Sequence, residues 1–285
     1  MRRLLYAGTV VALTTIASAS VSFAKPPDTP NTLTAEERQA GWTLLFDGQT
    51  LSGWRCPSWD QCPDGFWTVV DGFLRGGVVG NRAIDLTTSG VYRDFDLQFE
   101  WKVAAGGNSG VKYLVGRSQR LVFEGDGPPN IEGTVTPGPN AVFREAATGM
   151  EYQIVDEERH PDGKKSSTRS GSLYQIAGFD QNIVRPAGQL NHSRVVVHGN
   201  HIEHWLNGVR VVATDVTSTE FQKAAANAPA RTRRALEYLK KEGTIALQSH
   251  TGAVWFRNIK VRRLPAAAIR NVPVTDKFLR GNLTN

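Results

Sequence analysis

The chain has 285 residues, 40% of them hydrophobic and 21% charged, which excludes a disordered segment and leaves room for a substantial core. The net charge is +6, yet Lys and Arg are scattered, with one short cluster at Arg231, Arg233 and Arg234. A nucleic-acid binder gathers such residues on one helix or stripe, so nucleic acid is not an expected partner.

Residues 1–24 read as a signal peptide. Arg2 and Arg3 form a positive start, Leu4 to Val21 is mostly apolar, and Ser22-Phe23-Ala24 has the small-x-small form of a cleavage site. Thr and Ser interrupt the apolar run, which is weak for a permanent anchor, so no membrane span is expected after cleavage. No Cys follows the site, which argues against a lipid anchor. The expected location is periplasmic or secreted. In an oxidising compartment Cys56 and Cys62 are expected to bridge, with two free thiols as the alternative.

Residues 25–33 form a flexible lead-in rich in Pro and polar residues. Thr34 then caps a short helix, with Glu37 three residues on completing the cap. From Trp42 onward the pattern is mostly β. Asp96 to Val103 alternates polar and apolar, as a half-buried antiparallel strand does. Shorter strands are expected at Gly110–Val115, Met150–Val155, Arg194–His198, Ile202–Leu206, Thr244–Gln248 and Ala253–Arg262, separated by turn residues. Ser118 to Thr148 reads as an irregular excursion near one sheet face, and Glu220 to Lys241 as a helical insertion split at Pro229. Many short strands argue for a sandwich or jelly roll over 34–264, followed by an extended tail, 265–285.

His198-Gly199-Asn200-His201 reads as a two-residue type II′ turn, which pairs His198 with His201 and Val195 with His204. His204 then points to the opposite face from the other two histidines, which makes a three-histidine metal site improbable. The face of His204 is otherwise apolar, so a core role competes with a catalytic one. Among the tryptophans, Trp101 alternates with core residues, whereas Trp59 and Trp67 flank the cysteine loop as candidate sugar platforms.

The stretch Met150 to Asp156 is the richest in chemistry. On a regular strand Glu151 and Gln153 share one face, and Tyr152 and Ile154 the other. An acid and an amide on one face suit a sugar-binding sheet, and a buried carboxylate can also move protons. A solvent-exposed outer face is the competing reading.

At these residues the chain resembles the 3-keto-disaccharide hydrolase domain family. Gly41-Trp42-Thr43-Leu44-Leu45-Phe46-Asp47-Gly48 and Leu51-Ser52-Gly53-Trp54 open the resemblance. Asn108-Ser109-Gly110-Val111, Glu151-Tyr152-Gln153-Ile154, His204-Trp205-Leu206-Asn207-Gly208, Ile245-Ala246-Leu247-Gln248 and Phe256-Arg257-Asn258-Ile259-Lys260 continue it in order. The resemblance implies an all-β, concanavalin/lectin-like jelly-roll sandwich of two antiparallel sheets. It also implies cleavage of glycosides whose sugar carries a ketone at C3. Where family members often have Asp-His-Gly, this chain has Ser249-His250-Thr251-Gly252, which weakens a carboxylate or metal role there.

A C3 ketone acidifies the hydrogen at C2, so the reaction needs a base, an electrophile for the enolate oxygen and a proton donor for the leaving oxygen. Side-chain chemistry and motif position nominate Glu151 as base, with His204 second and His250 a more exposed candidate. Arg185, Lys112 or a bound divalent cation is the expected electrophile. Gln153, Asn191, Asn207 and Gln248 are expected to hold sugar hydroxyls, with Asp156 and His160 brought over the site by a loop. Two other readings of a carbohydrate partner stay open. One is a non-catalytic binding module. The other is a conventional glycoside hydrolase using Glu151, Gln153 and Asp156, although the short arm of Asp156 would widen the roughly 5 Å carboxylate gap of a retaining mechanism. A calcium-stabilised structural domain is a third, with Asp60, Asp64, Asp71 and Asp126 dispersed rather than grouped in one loop.

Overall fold

The computed structural model describes residues 29–124, 130–237 and 242–267. The expected leader and most of the expected tail lie outside these residues. The first elements are α1 (Ala35–Gln39), β1 (Trp42–Leu44), β2 (Trp54–Arg55), β3 (Trp67–Val70), β4 (Phe73–Gly76), β5 (Arg82–Ile84) and β6 (Leu86–Thr88). The long central strands follow as β7 (Phe95–Val103), β8 (Asn108–Phe123), β9 (Asn130–Ile131) and β10 (Val142–Val155). Then come β11 (Asn191–His198), β12 (His201–Leu206), β13 (Val209–Asp215), α2 (Thr219–Asn227), α3 (Ala230–Glu237), β14 (Thr244–Leu247) and β15 (Val254–Arg263).

Two sheets form a jelly-roll sandwich. One runs β13-β12-β11-β7-β15-β4-β3, with β1 added beside β15. The other runs β2-β6-β14-β8-β10-β5, with β9 beside β8. Pairing is antiparallel except between β10 and β5, which is parallel. The core lies between the sheets because each long strand alternates. β7 turns Phe95, Leu97, Phe99, Trp101 and Val103 inward, against Val111 and Tyr113 of β8, Tyr152 and Ile154 of β10, and Ile245 and Leu247 of β14. Each such side chain contributes roughly 1.5–3 kcal/mol on burial, so a shift of register by one residue is strongly disfavoured.

The local sequence signals work as expected in several places. Thr34 Oγ1 accepts from Glu37 N–H at 3.1 Å, and Glu37 Oε2 accepts from Thr34 N–H at 2.9 Å, which closes the capping box. Gly199 has φ 62°, as the first position of a type II′ turn requires, and His198 pairs with His201. Cys56 and Cys62 are bonded, with Cα atoms 5.1 Å apart. The helical insertion divides between Asn227 and Ala230, and its last expected residues lie outside the described part.

Two expectations need correction. Ser118 to Thr148 is not an irregular excursion throughout: β8 continues to Phe123 and β10 begins at Val142, paired residue for residue from Val142–Phe123 to Thr148–Arg117. Gly and Pro in the middle hid the strand pattern at either end. Trp67 is no free sugar platform, since it is buried and donates its indole N–H to Ile84 O at 2.7 Å.

Candidate functional site

β8, β10 and β14 present a polar face on the side turned away from the core. The register fixes it. Glu151 lies opposite Lys112, Gln153 opposite Gly110, and Ala246 of β14 opposite Lys112 on its other side. Gln248 continues β14 and donates its N–H to Gly110 O at 2.8 Å. Because alternate residues share a face, Gln248, Gly110 and Gln153 form one row, and Ala246, Lys112 and Glu151 the next.

Gly110 sits in the middle of this grid, and its missing side chain matters. A Cβ there would meet Glu151 Oε1 at 2.7 Å and Glu151 Cγ at 3.1 Å. The carboxylate of Glu151 therefore reaches over the Gly110 backbone, between the two glutamines. Glycine leaves that space open. Gly110→Ala is expected to displace the carboxylate, whose flexible end is the closest contact, and to keep the fold at a modest cost in stability, because the new Cβ also meets the backbone oxygen of Tyr152 at 3.1 Å. Turnover should fall about 10- to 100-fold while the protein still melts cooperatively at a somewhat lower temperature, checked by steady-state kinetics beside a thermal melt.

Lys112 is buried and pairs with Asp85, whose carboxylate lies 2.9 Å from its Nζ. The segment after β10 folds over the same face. Asp162 Oδ2 there accepts from Tyr174 O–H at 3.2 Å, from Asn108 Nδ2 at 3.4 Å and from Gln153 Nε2 at 3.5 Å. His160 accepts from Asp162 N–H at Nδ1, 3.2 Å away, and its Nε2 is 3.2 Å from Asn108 Nδ2. Gln153 is thus covered rather than displayed, at 1% exposure, whereas Glu151 is only half-buried. Gln248 is 5% exposed, and its Oε1 has no hydrogen-bond partner among the described residues.

The structure therefore brings together Glu151, Gln153, Gln248, Lys112 and, through the covering segment, His160. His250 follows Gln248 by two positions in the turn that bridges to Asn108, its Nδ1 2.9 Å from Thr251 Oγ1. The other nominated residues stand elsewhere. His204 is buried in the core. Its Nδ1 lies 3.0 Å from Gly171 O and so carries the proton, and its Nε2 accepts from Tyr113 O–H at 2.8 Å. Burial pushes its pKa down to about 4, so it is neutral and fully engaged. A base needs a free lone pair facing substrate, which His204 lacks.

Asn191 and Asn207 hold a loop of the other sheet. Asn191 Oδ1 accepts from Arg185 N–H at 2.8 Å and from Asn207 Nδ2 at 2.9 Å, while Asn207 Nδ2 also donates to Ile183 O at 2.8 Å. Arg185 donates to Leu190 O at 3.0 Å within that loop and does not join the Glu151 face. Asp156 falls on the core-side parity of β10 and accepts from Gly106 N–H at 2.7 Å and Glu158 N–H at 3.1 Å. Burial alone would raise its pKa, but those N–H groups and Arg159 outweigh burial and hold it below the usual carboxylate range. Its tie to the backbone removes it as a second carboxylate of a retaining glycosidase.

Asp85, Asn108, Asp162 and Tyr174 are the residues that sequence reasoning missed. Asn108 stood within a motif already quoted, and Asp162 lies two residues beyond His160. Asp85 sits in a short strand junction with no periodic signal. Among the described residues, no group of three or more His, Cys, Asp or Glu is placed to hold a metal ion, and no helix is long and apolar enough to cross a membrane.

These features define a concanavalin-like jelly roll with a polar, acid-bearing face on one sheet. The chain matches the 3-keto-alpha-glucoside-1,2-lyase-like domain over residues 41–262 and belongs to that family. A protein of Bacteroides thetaiotaomicron named 3-keto-disaccharide hydrolase is 31% identical over 242 residues, which cover 79% of either chain. A solved structure of a candidate glycosyl hydrolase from Parabacteroides distasonis shares 27% identity and a TM-score of 0.65, covering 83% of this chain and all of that one. A second structure from the same organism, at 24% identity and a TM-score of 0.53, covers 78% of this chain and 99% of its own and shares the fold.

Proposed function

We propose that this carbohydrate-related hydrolase acts on 3-keto-glycosides, outside the cytoplasm, by elimination and hydration. The observation that carries the reading is the placement of the Glu151 carboxylate over Gly110, on one face with Lys112 and Gln248. Family membership and the name of the Bacteroides relative support the substrate class. The apolar leader expected at residues 1–24 supports export.

Glu151 takes the proton from C2 of the keto sugar. The electron pair moves into the C2–C3 bond as the ketone becomes an enolate, whose oxygen is met by the Lys112 ammonium. The enolate then collapses, a double bond forms between C1 and C2, and the C1–O bond breaks. The leaving oxygen takes the proton that Glu151 has removed from C2, which returns the carboxylate. Water finally adds at C1 and a proton returns to C2, giving the free keto sugar and the released alcohol. No oxidant or reductant is consumed.

The test is incubation of the mature protein with a 3-keto-glycoside and with its unoxidised parent. Cleavage of the ketone form alone is expected. Equal cleavage of the parent would mean direct displacement at C1, and binding of both without turnover would mean a binding module. Repeating the assay with a chelator separates Lys112 from a divalent cation, the two electrophiles left once Arg185 stands off this face. Turnover is expected to persist with Lys112 in that role; loss that is restored by metal would assign it to a divalent cation.

A further inference from the structure

Asp85 lies between β5 and β6 and is 2% exposed. Its Oδ2 accepts from Lys112 Nζ and from Ala147 N–H, each at 2.9 Å, and its Oδ1 accepts from Ser249 N–H at 3.2 Å. The three donors come from β8, β10 and the residue after Gln248. One carboxylate thus ties together the segments that carry Lys112, Glu151 and Gln248.

A buried ion pair is a poor way merely to hold a sheet. Desolvation cancels much of its attraction, and a well-packed apolar pair often serves as well. The charge at Lys112 therefore calls for a use. One row along the same face, Gln248 keeps a buried Oε1 without a partner among the described residues, although buried polar atoms are nearly always paired. An acceptor without a partner on the same face as a fixed cation, one row along, is what a ligand bearing a carbonyl beside a hydroxyl would complete.

We propose that Asp85 is the positioning residue of this site. It fixes the Lys112 ammonium to meet the C3 ketone oxygen, and through Ser249 it fixes Gln248 to accept from a hydroxyl adjacent to that ketone. The substrate class so defined is an α-hydroxy ketone within a sugar ring. The inference rests on the keto-glycoside reading above and adds to it the group that holds its electrophile.

Asp85→Asn keeps the size of the side chain and removes its charge. On a 3-keto-glycoside its kcat is expected to fall about 100-fold with KM nearly unchanged, as for a misplaced electrophile. The decisive comparison is with Lys112→Met. If Asp85 acts chiefly through Lys112, with Gln248 the lesser arm, the double variant is slower than Lys112→Met alone by no more than a few-fold; a further loss of the full Asp85→Asn factor would overturn the proposal. Should Asp85→Asn fail to fold because Lys112 is left unpaired, Asp85→Glu, which keeps the charge and moves it by one methylene, supplies the factor instead, and that loss is expected largely to vanish in the Lys112→Met background.

A substrate-free measurement keeps the two levels apart. On lysine-labelled protein, the Lys112 ammonium is expected to give a slowly exchanging NMR signal that Asp85→Asn abolishes. Survival of that signal in the variant would overturn the positioning role, whether or not the wild type cleaves keto-glycosides. Its loss, together with a wild type that cleaves none, would fault the substrate reading and leave the positioning of Lys112 standing.

Discussion

Glu151→Gln is expected to lower kcat on a 3-keto-glycoside by about 10²–10⁴-fold while KM moves little, because general-base catalysis is worth that much and the amide keeps the shape. The loss is expected in the first chemical step. In heavy water the wild type should exchange the C2 hydrogen of the keto sugar for deuterium, and the variant should not. That exchange separates a base from a residue that merely holds a hydroxyl, which would change KM and leave exchange intact. Room for the carboxylate above Gly110 is part of the same argument, since the group must approach C2 with nothing between. Normal exchange by Glu151→Gln would transfer the base role to another group on the face, with the Asp162 carboxylate of the covering segment the alternative.

The face of Glu151 was legible because strand parity is a strict rule. Tyr152 and Ile154 are large and apolar, so their burial forces Glu151 and Gln153 outward from the core whatever else the chain does. The same rule placed His204 with Val195, Val197 and Leu206, and its core position follows. Parity is silent on what covers a face. The burial of Gln153 depends on Asp162 and Tyr174 reaching back from a segment with no period, and no spacing announces that. Asn191 and Asn207 show the converse problem. Both are amides near strand ends, as sugar ligands often are, yet each is used up by loop backbone groups that only the fold brings within reach. Asp85 is the clearest case. Its three donors come from other segments of the chain, so its importance exists only in three dimensions.

His204 is expected to make the fold sensitive to mild acid. Burial is the main reason its pKa lies at about 4 instead of 6.5, with the hydrogen bonds to Gly171 and Ser172 opposing it only in part. The rings facing it, Tyr113 and Tyr152, are neutral phenols whose own pKa values burial pushes up, so neither offers a negative charge to compensate a proton on the imidazole. The unfolded chain takes up that proton below pH 6.5 and the folded one does not until about 4. Stability from this group is therefore complete above 6.5 and is lost as the pH falls between the two values, reaching about 3 kcal/mol at the lower end. His192, also lowered chiefly by burial, adds in the same direction. The carboxylates Asp94, Asp156 and Glu203, held below their usual values, lose their contributions at lower pH still, so the interval from 7.5 to 4.5 isolates the histidines. Urea unfolding across that interval should show the wild type losing about 2–3 kcal/mol more than His204→Gln, whose amide can still donate to Gly171 O and accept from Tyr113. Equal acid sensitivity in the two proteins would mean that the imidazole is reached by water and protonates without opening the sandwich.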